Sequence, residues 1–216
     1  MAKRSRDTLV KQIEYFYSGH SAFAYLGAKR LSEICAAQGW SIIHRPFDFW
    51  PVIRAAAGPD FKVRSAAHMS YFFGRELTRW AEWRDLPILS YRPTFYDNPL
   101  ALPNGVIIAA ADAGGDVDGL SFDILQAHWR DDADIADGAT LIELAKKRGM
   151  DGEDLIDAAM SDGVQETHAA NTAEAIERNV FGSPTYFVDG DMFYGQDHLD
   201  MVERAMQTPF VPETIN

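Results

Sequence analysis

Three stretches of the chain combine residue types that could do chemistry. In "YSGHSAFAYLG" (17–27) a small hydroxyl residue, Ser21, stands where a strand-like run gives way to a helical one. One reading makes Ser21 an N-cap whose Oγ accepts a backbone N–H, worth about 1 kcal/mol to the helix. The other makes it a hydroxyl at the positive end of a helix dipole, where negative charge is favoured. In "VFGSPTYFV" (180–188) Pro184 opens a strand directly after Gly-Ser, although proline removes a ladder donor. A trans bond on an edge strand would satisfy that pattern. A cis Ser183–Pro184 bond would instead turn the Ser183 N–H and C=O toward the start of the first helix, where an extended peptide could pair with them. In "YGQDHL" (194–199) Gln196 or Asp197 can cap or charge a helix start. Alternatively the N–H groups of both, with the Asp197 carboxylate, hold an α-amino-acid head group: the donors take its carboxylate and the acid its ammonium. Glutathione carries such a head group on its γ-glutamyl end.

These residues need elements to bring them together. "IEYFY" (13–17) suits a buried strand, and a helix fits from about Ala22 to Gln38, with Phe23, Leu26, Leu31, Ile34 and Cys35 on one face and Gly39 as a stop. "WSIIHRPF" (40–47) reads as a second strand, completing a βαβ unit. From about Pro51 to His168 the patterns are helical, with Trp80, Trp83 and Trp129 expected to pack the block. "TAEAIERNVFG" then reads as a helix, "PTYFVDGDMFYG" as a hairpin turning at Asp189-Gly190, and "QDHLDMVERAM" as a last helix. Without the block, β-α-β followed by α-β-β-α is the order of a thioredoxin fold. The expected class is therefore α/β, a thioredoxin-like fold with a large all-helical insertion. Residues 10–50 and 169–210 would form the discontinuous thioredoxin-like domain and 51–168 the inserted helical domain, with "TPFVPETIN" a loose surface end. In that architecture Ser21 occupies the place of the reactive thiol. A serine cannot do redox chemistry, but its hydroxyl can donate a hydrogen bond to the thiolate of a bound thiol cofactor.

Composition narrows the partners. The formal net charge is −12 with a pI near 4.8, so the surface repels phosphate backbones and acidic headgroups and nucleic acid is not expected. Cys35 is the only cysteine, which excludes an intramolecular disulfide and a CxxC redox pair and points to a reducing compartment. "MAKRSRDTLVKQ" lacks the apolar core of a secretory signal, and no apolar run approaches the roughly 20 residues needed to cross a bilayer. A cytoplasmic protein with no membrane contact is expected. The six histidines show no HxH or HExxH spacing, so no metal is expected. His20 could serve as a base or read as a solvent-exposed loop residue. For an anionic substrate, "YRPTFYDNP" (91–99) offers Arg92 with Tyr91, Phe95 and Tyr96, with Arg45 and Arg54 as competing cations.

With these residues in view, the sequence resembles the 2-hydroxychromene-2-carboxylate isomerase family, relatives of the kappa-class glutathione transferases and the DsbA-like group. "IEYFYSGHSAFAYLG" is similar to that family's strand, turn and helix start, and "AEAIERNVFGSPTYFVDGDMFYGQDHLDMVERAM" to its C-terminal signature. "RELTRWAEWRDLPI" and "AHWRDDADI" carry weaker central similarity. The resemblance implies a glutathione-dependent isomerase in aromatic-compound degradation. There the cofactor thiolate adds to an unsaturated 2-oxo acid or its chromene hemiketal and leaves again. It implies Ser21 as the thiol-activating serine, Ser183 and Pro184 as a cis-proline cradle, and Gln196 and Asp197 as the γ-glutamyl site; on the substrate side the residues themselves offer Arg92 and Phe95, with His20 beside Ser21. A kappa-class-like transferase and a non-redox binding module are the alternatives, and a homodimer is a family expectation. The chain departs from the pattern in having Ala22 after the serine, Gly19-His20 before it, and His198 after Asp197.

Overall fold

The computed structural model describes residues 11–56 and 64–211. The secretory-signal reading rests largely on residues 1–10, which lie outside the described residues, as do 212–216 of the expected loose tail.

Four strands make one mixed sheet in the order β2-β1-β3-β4. β1 (Gln12–Tyr17) pairs in parallel with β2 (Ser41–Pro46), and α1 (Ala22–Gln38) connects them. β1 also pairs antiparallel with β3 (Thr185–Val188), which turns back into β4 (Asp191–Tyr194). The turn residues Asp189 and Gly190 both take positive φ, 50° and 88°, as a two-residue hairpin requires. α10 (Leu199–Gln207) follows β4 through a 3₁₀ turn, Gln196–His198. This is the expected thioredoxin-like fold.

The period of two along β1 divides its side chains between two cores. Ile13, Tyr15 and Tyr17 face α1 and the helical block, in a cluster that continues without a break to Leu120, Ile124 and Leu141. Phe16 faces the other way and packs with Phe47, Val52, Val180 and Phe187 beneath α2 (Phe49–Ala55) and α9 (Asp162–Glu177). Both faces are covered, which is why "IEYFY" reads as a continuous apolar run with one exception, Glu14. That residue pairs with Arg178 at 2.9 Å.

Between α2 and α9 the block contains α3 (Ala66–Ser70), a π-helical stretch Tyr71–Glu76, α4 (Leu77–Arg84), α5 (Ala101–Asp112), α6 (Val117–Arg130), α7 (Gly138–Lys147) and α8 (Gly152–Ala159). A polar relay fastens it to the sheet: the Tyr17 hydroxyl lies 2.8 Å from Ser121 Oγ and 2.9 Å from His44 Nδ1, while His44 Nε2 lies 2.7 Å from Asp118 Oδ1. α9 runs unbroken through 168–169, where the two expected segments meet. Trp129 is buried and Trp80 is half-buried against the core, but Trp83 is 79% exposed, contrary to expectation. Trp83 follows Trp80 by three residues at the open end of α4, where the core-facing stripe is already supplied by Leu77, Ala81 and Trp80. No described helix is long and apolar enough to cross a membrane.

Candidate active site

Ser21 is the N-cap of α1. Its Oγ accepts from the Ala24 N–H at 3.2 Å and donates to the Ser183 carbonyl at 3.1 Å. The two readings of this serine therefore coexist: the same oxygen that caps the helix reaches across to the β3 side. The Ser183–Pro184 bond is cis, and Ser183 Oγ accepts from the Ser18 N–H at 3.0 Å. The start of α1 and the start of β3 are thus tied in both directions by serines 162 and 165 positions apart in the chain.

Two fully buried groups fix the loop before Ser21 from behind. Asn104 on α5 accepts from the Gly19 N–H at 3.1 Å and donates to the Phe47 carbonyl at 3.2 Å and to His168 Nε2 at 3.0 Å. A Cβ at position 19 would stand 2.8 Å from Asn104 Oδ1, so glycine there is a consequence of this close approach. Trp129 Nε1 donates to the His20 carbonyl at 2.9 Å.

His20 is 3% exposed, which corrects the reading of a solvent-exposed loop histidine. The backbone bonds just described turn its ring inward, with Nδ1 2.8 Å from Ser18 Oγ and the ring against Phe49 and Tyr96. Burial, reinforced by His128 and Arg92, pushes its pKa down to about 3, so it is neutral at any working pH.

Gln196 and Asp197 open the 3₁₀ turn, whose first N–H groups have no partner within the turn. Gln196 is buried. Its Oε1 accepts from Arg84 Nε at 3.3 Å and from Arg84 Nη2 at 3.2 Å, while its Nε2 is sealed from solvent with no partner among the described residues. The Asp197 carboxylate is half exposed and lies 3.5 Å from His198 Nδ1. Arg84 is a site residue that sequence reasoning missed, because a cation in the last turn of a helix already has a sufficient role against the dipole.

Three cavities meet along this face. One of about 220 Å³ runs past Gln196, Asp197, Trp80 and Phe23 to Ser183 and Tyr194. It adjoins a constriction of about 80 Å³ formed by Ser21, His20, Ser183 and Phe72, sharing Phe23, Phe72, Ser183 and Tyr194 with it. The constriction in turn shares Phe73 and Tyr96 with a cavity of about 690 Å³ lined by Trp50, Met69, Arg92 and Trp129. Ser21, Ser183, His20, Gln196, Asp197 and Arg92 therefore all line a row of three adjoining cavities. Pro184 supports it from β3, and its carbonyl accepts from the Gly195 N–H at 2.9 Å.

Phe95 is not brought into this groove. It is partly exposed and lines none of the three cavities, while its neighbour Tyr96 enters two of them. The turn at 93–98, closed by Tyr96 N–H to Pro93 and Asn98 N–H to Phe95, decides which of the two adjacent aromatics points inward. Arg92 lines the large cavity but carries Asp97 on its guanidinium, Nη1 to Oδ2 at 2.8 Å, which holds the Asp97 carboxyl below the usual range. Of its competitors, Arg45 turns toward Glu14 and Asn171 instead, and Arg54 is exposed on α2. The π-helical stretch brings the adjacent residues Phe72 and Phe73 both to the groove wall, a use that such bulges often have. Spacing in steps of three and four gave no sign of the extra residue in that turn.

A family profile described as a DSBA-like thioredoxin domain matches residues 12–207. The chain belongs to that family. Unlike a redox member with a reactive cysteine at the head of α1, this DSBA-like chain has serine there, and its one cysteine, Cys35, is buried near the other end of the helix. Burial pushes the Cys35 thiol up to about 12, so Ellman's reagent is expected to label it only on unfolding; native labelling within minutes would contradict this. Among curated proteins, the chain is 29% identical over 204 residues to 2-hydroxychromene-2-carboxylate isomerase of Pseudomonas sp. strain C18, covering 93% of this chain and 92% of that one. It is 28% identical over 207 residues to the isomerase of the same name from Sphingobium xenophagum, covering 90% and 97%. A solved structure of a 2-hydroxychromene-2-carboxylate isomerase superposes with a TM-score of 0.76 at 24% identity, covering 91% of this chain and 94% of that one. The cytosolic disulfide reductase DsbM from Pseudomonas aeruginosa, solved with GSH, gives 0.62 at 18%, covering 92% and 93%. These two likenesses concern the fold.

Proposed function

We propose that the protein is a glutathione-dependent isomerase acting on an aromatic-degradation intermediate such as 2-hydroxychromene-2-carboxylate. The observation that carries this reading is the row of adjoining cavities, with donors for an amino-acid head group at one end, the Ser21 hydroxyl at the middle, and an aromatic-walled cavity holding Arg92 at the other. The curated relatives named for this activity, and the GSH bound to the DsbM neighbour, support it.

The residues fit the tripeptide. The sealed, unpartnered Nε2 of Gln196 and the first N–H groups of the 3₁₀ turn are donors waiting for a carboxylate, and the Asp197 carboxylate beside them suits an ammonium. Arg84 positions Gln196 by occupying its Oε1, which leaves the amide N–H₂ as the uncommitted end of the side chain. The Ser183 N–H is available to an extended backbone at the cradle. When bound, glutathione would supply a thiolate that adds reversibly to the conjugated system of the substrate. Ser21 would donate to that sulfur from the positive end of α1. Arg92 would hold the substrate carboxylate with the N–H groups that Asp97 leaves free, and Trp50, Phe73 and Trp129 would exclude water around the ring.

Glutathione mass balance over many turnovers of 2-hydroxychromene-2-carboxylate tests the proposal. Complete recovery of free glutathione is expected. Stoichiometric consumption would make the protein a transferase, and the absence of both turnover and a thermal shift at millimolar glutathione would leave only a binding module.

A further inference from the structure

The loop before Ser21 holds a buried histidine with one nitrogen committed and the other not. His20 Nδ1 is 2.8 Å from Ser18 Oγ, Nε2 has no partner among the described residues, and the residue lines the constriction together with Ser21 and Ser183. The ring cannot swing. Its backbone is pinned by Trp129 and Asn104, Phe49 stands edge-on at 5.3 Å, and Tyr96 lies at 4.6 Å. Ser18 is fully buried, and His20 Nδ1 is the only acceptor in reach of its hydroxyl among the described residues. A buried hydroxyl tolerates an idle lone pair better than an idle proton. The Ser18 O–H therefore donates to Nδ1, and the imidazole proton resides on Nε2.

We propose that His20 is the electrophile of the site: its Nε2–H, fixed in that tautomer by Ser18, hydrogen-bonds the substrate oxygen on which negative charge gathers. This rests on the addition and elimination chemistry proposed above. When a nucleophile adds to a conjugated carbonyl compound, the π pair of the double bond moves onto the carbonyl oxygen; when the nucleophile leaves, the pair returns. His20 keeps its proton throughout, so addition and elimination ask no proton transfer of it. A donor already aimed at that oxygen in a site of low water content stabilises the charged form without reorganising. The charged and titratable groups facing the ring are His128, Arg92, Asp97 and Tyr96; burial, His128 and Arg92 keep the imidazole neutral, against the opposing pull of Asp97. It therefore acts as a donor and not as an acid or base, in the manner of other neutral imidazoles that polarise carbonyls. The substrate class that suits this arrangement has a carbonyl or enolate oxygen close to the carbon attacked.

Turnover of variants and a spectrum test the assignment. His20→Phe fills the ring space without a donor, and His20→Gln places an amide N–H near the position of Nε2. With 2-hydroxychromene-2-carboxylate and glutathione, His20→Phe is expected to lower kcat about tenfold with an unchanged KM for glutathione, and His20→Gln to recover most of that loss. Independently of turnover, ¹⁵N NMR of the full chain should find the His20 proton on Nε2 from pH 5 to 8, and Ser18→Ala should release it into a mixture of tautomers. An unchanged kcat in His20→Phe, a glutamine variant no better than phenylalanine, or a proton on Nδ1 would each overturn the proposal. A wild type without glutathione-dependent turnover would overturn the underlying function. Turnover that survives His20→Phe while Ser21→Ala remains impaired would overturn the role of His20 alone.

Discussion

Ser21→Ala is expected to raise the pKa of enzyme-bound glutathione by about one unit and to cut kcat/KM at pH 7 by 10- to 100-fold. A free thiol has a pKa of about 8.5, so only a few per cent is thiolate at neutral pH. A hydroxyl bonded to an anion contributes about 1.5 to 3 kcal/mol. In the folded protein that hydroxyl already donates to the Ser183 carbonyl, and giving up this neutral bond costs about 1 kcal/mol. The net, about 0.5 to 2 kcal/mol, corresponds to roughly one pKa unit at 1.36 kcal/mol per unit. The dipole at the start of α1 adds about 0.3 to 1 kcal/mol in both forms, so it cancels from the comparison. Ionisation accounts for about a tenfold loss at pH 7, and loosening of the cradle for the rest. The sign makes a sharper test than the size. The deficit should shrink as pH rises past about 9, where the thiol ionises without help. Thiolate absorbance titrated in both proteins measures the shift directly, and coincident titration curves would remove Ser21 from the chemistry.

The second large effect concerns Asn104. Asn104→Leu keeps the volume but strips partners from the Gly19 N–H, the Phe47 carbonyl and His168 Nε2, all in the interior behind the site. An unsatisfied buried group costs about 1 to 3 kcal/mol, so a loss of about 3 to 5 kcal/mol is expected after partial relaxation. Urea denaturation should show a lower midpoint with an unchanged m-value. Affinity for glutathione should fall with it, because Asn104 holds the loop that aims both His20 and Ser21. A loss under 1 kcal/mol would mean that the network is replaceable, for instance by water.

Much of this fold can be read along the chain because its signals are local. The run "IEYFY", the helix from Ala22 to Gln38 and the Asp189-Gly190 hairpin each follow from burial pattern or backbone preference within a few residues, and the structure has all three where expected. Ser21 and Ser183 were likewise identifiable, since a hydroxyl before a helix and a proline opening a strand are both local oddities. Arg84, Phe72, Phe73 and Tyr96 were not. Each has a sufficient local explanation as a helix-end cation or a core aromatic; only tertiary packing brings Phe72, Phe73 and Tyr96 to the cavity walls and Arg84 onto Gln196 behind them.

His20 shows where the division falls. Its type and its place next to Ser21 come from the sequence, and so does the absence of a cysteine at the head of α1. Whether that imidazole was a solvated loop side chain or a buried, neutral donor depended on Asn104 and Trp129, 85 and 109 positions away, pulling the backbone of residues 19 and 20 inward. Local sequence determines which hydrogen-bonding groups a segment carries. Desolvation and the direction in which those groups point are properties of what packs against them, and these were decided by the tertiary structure alone.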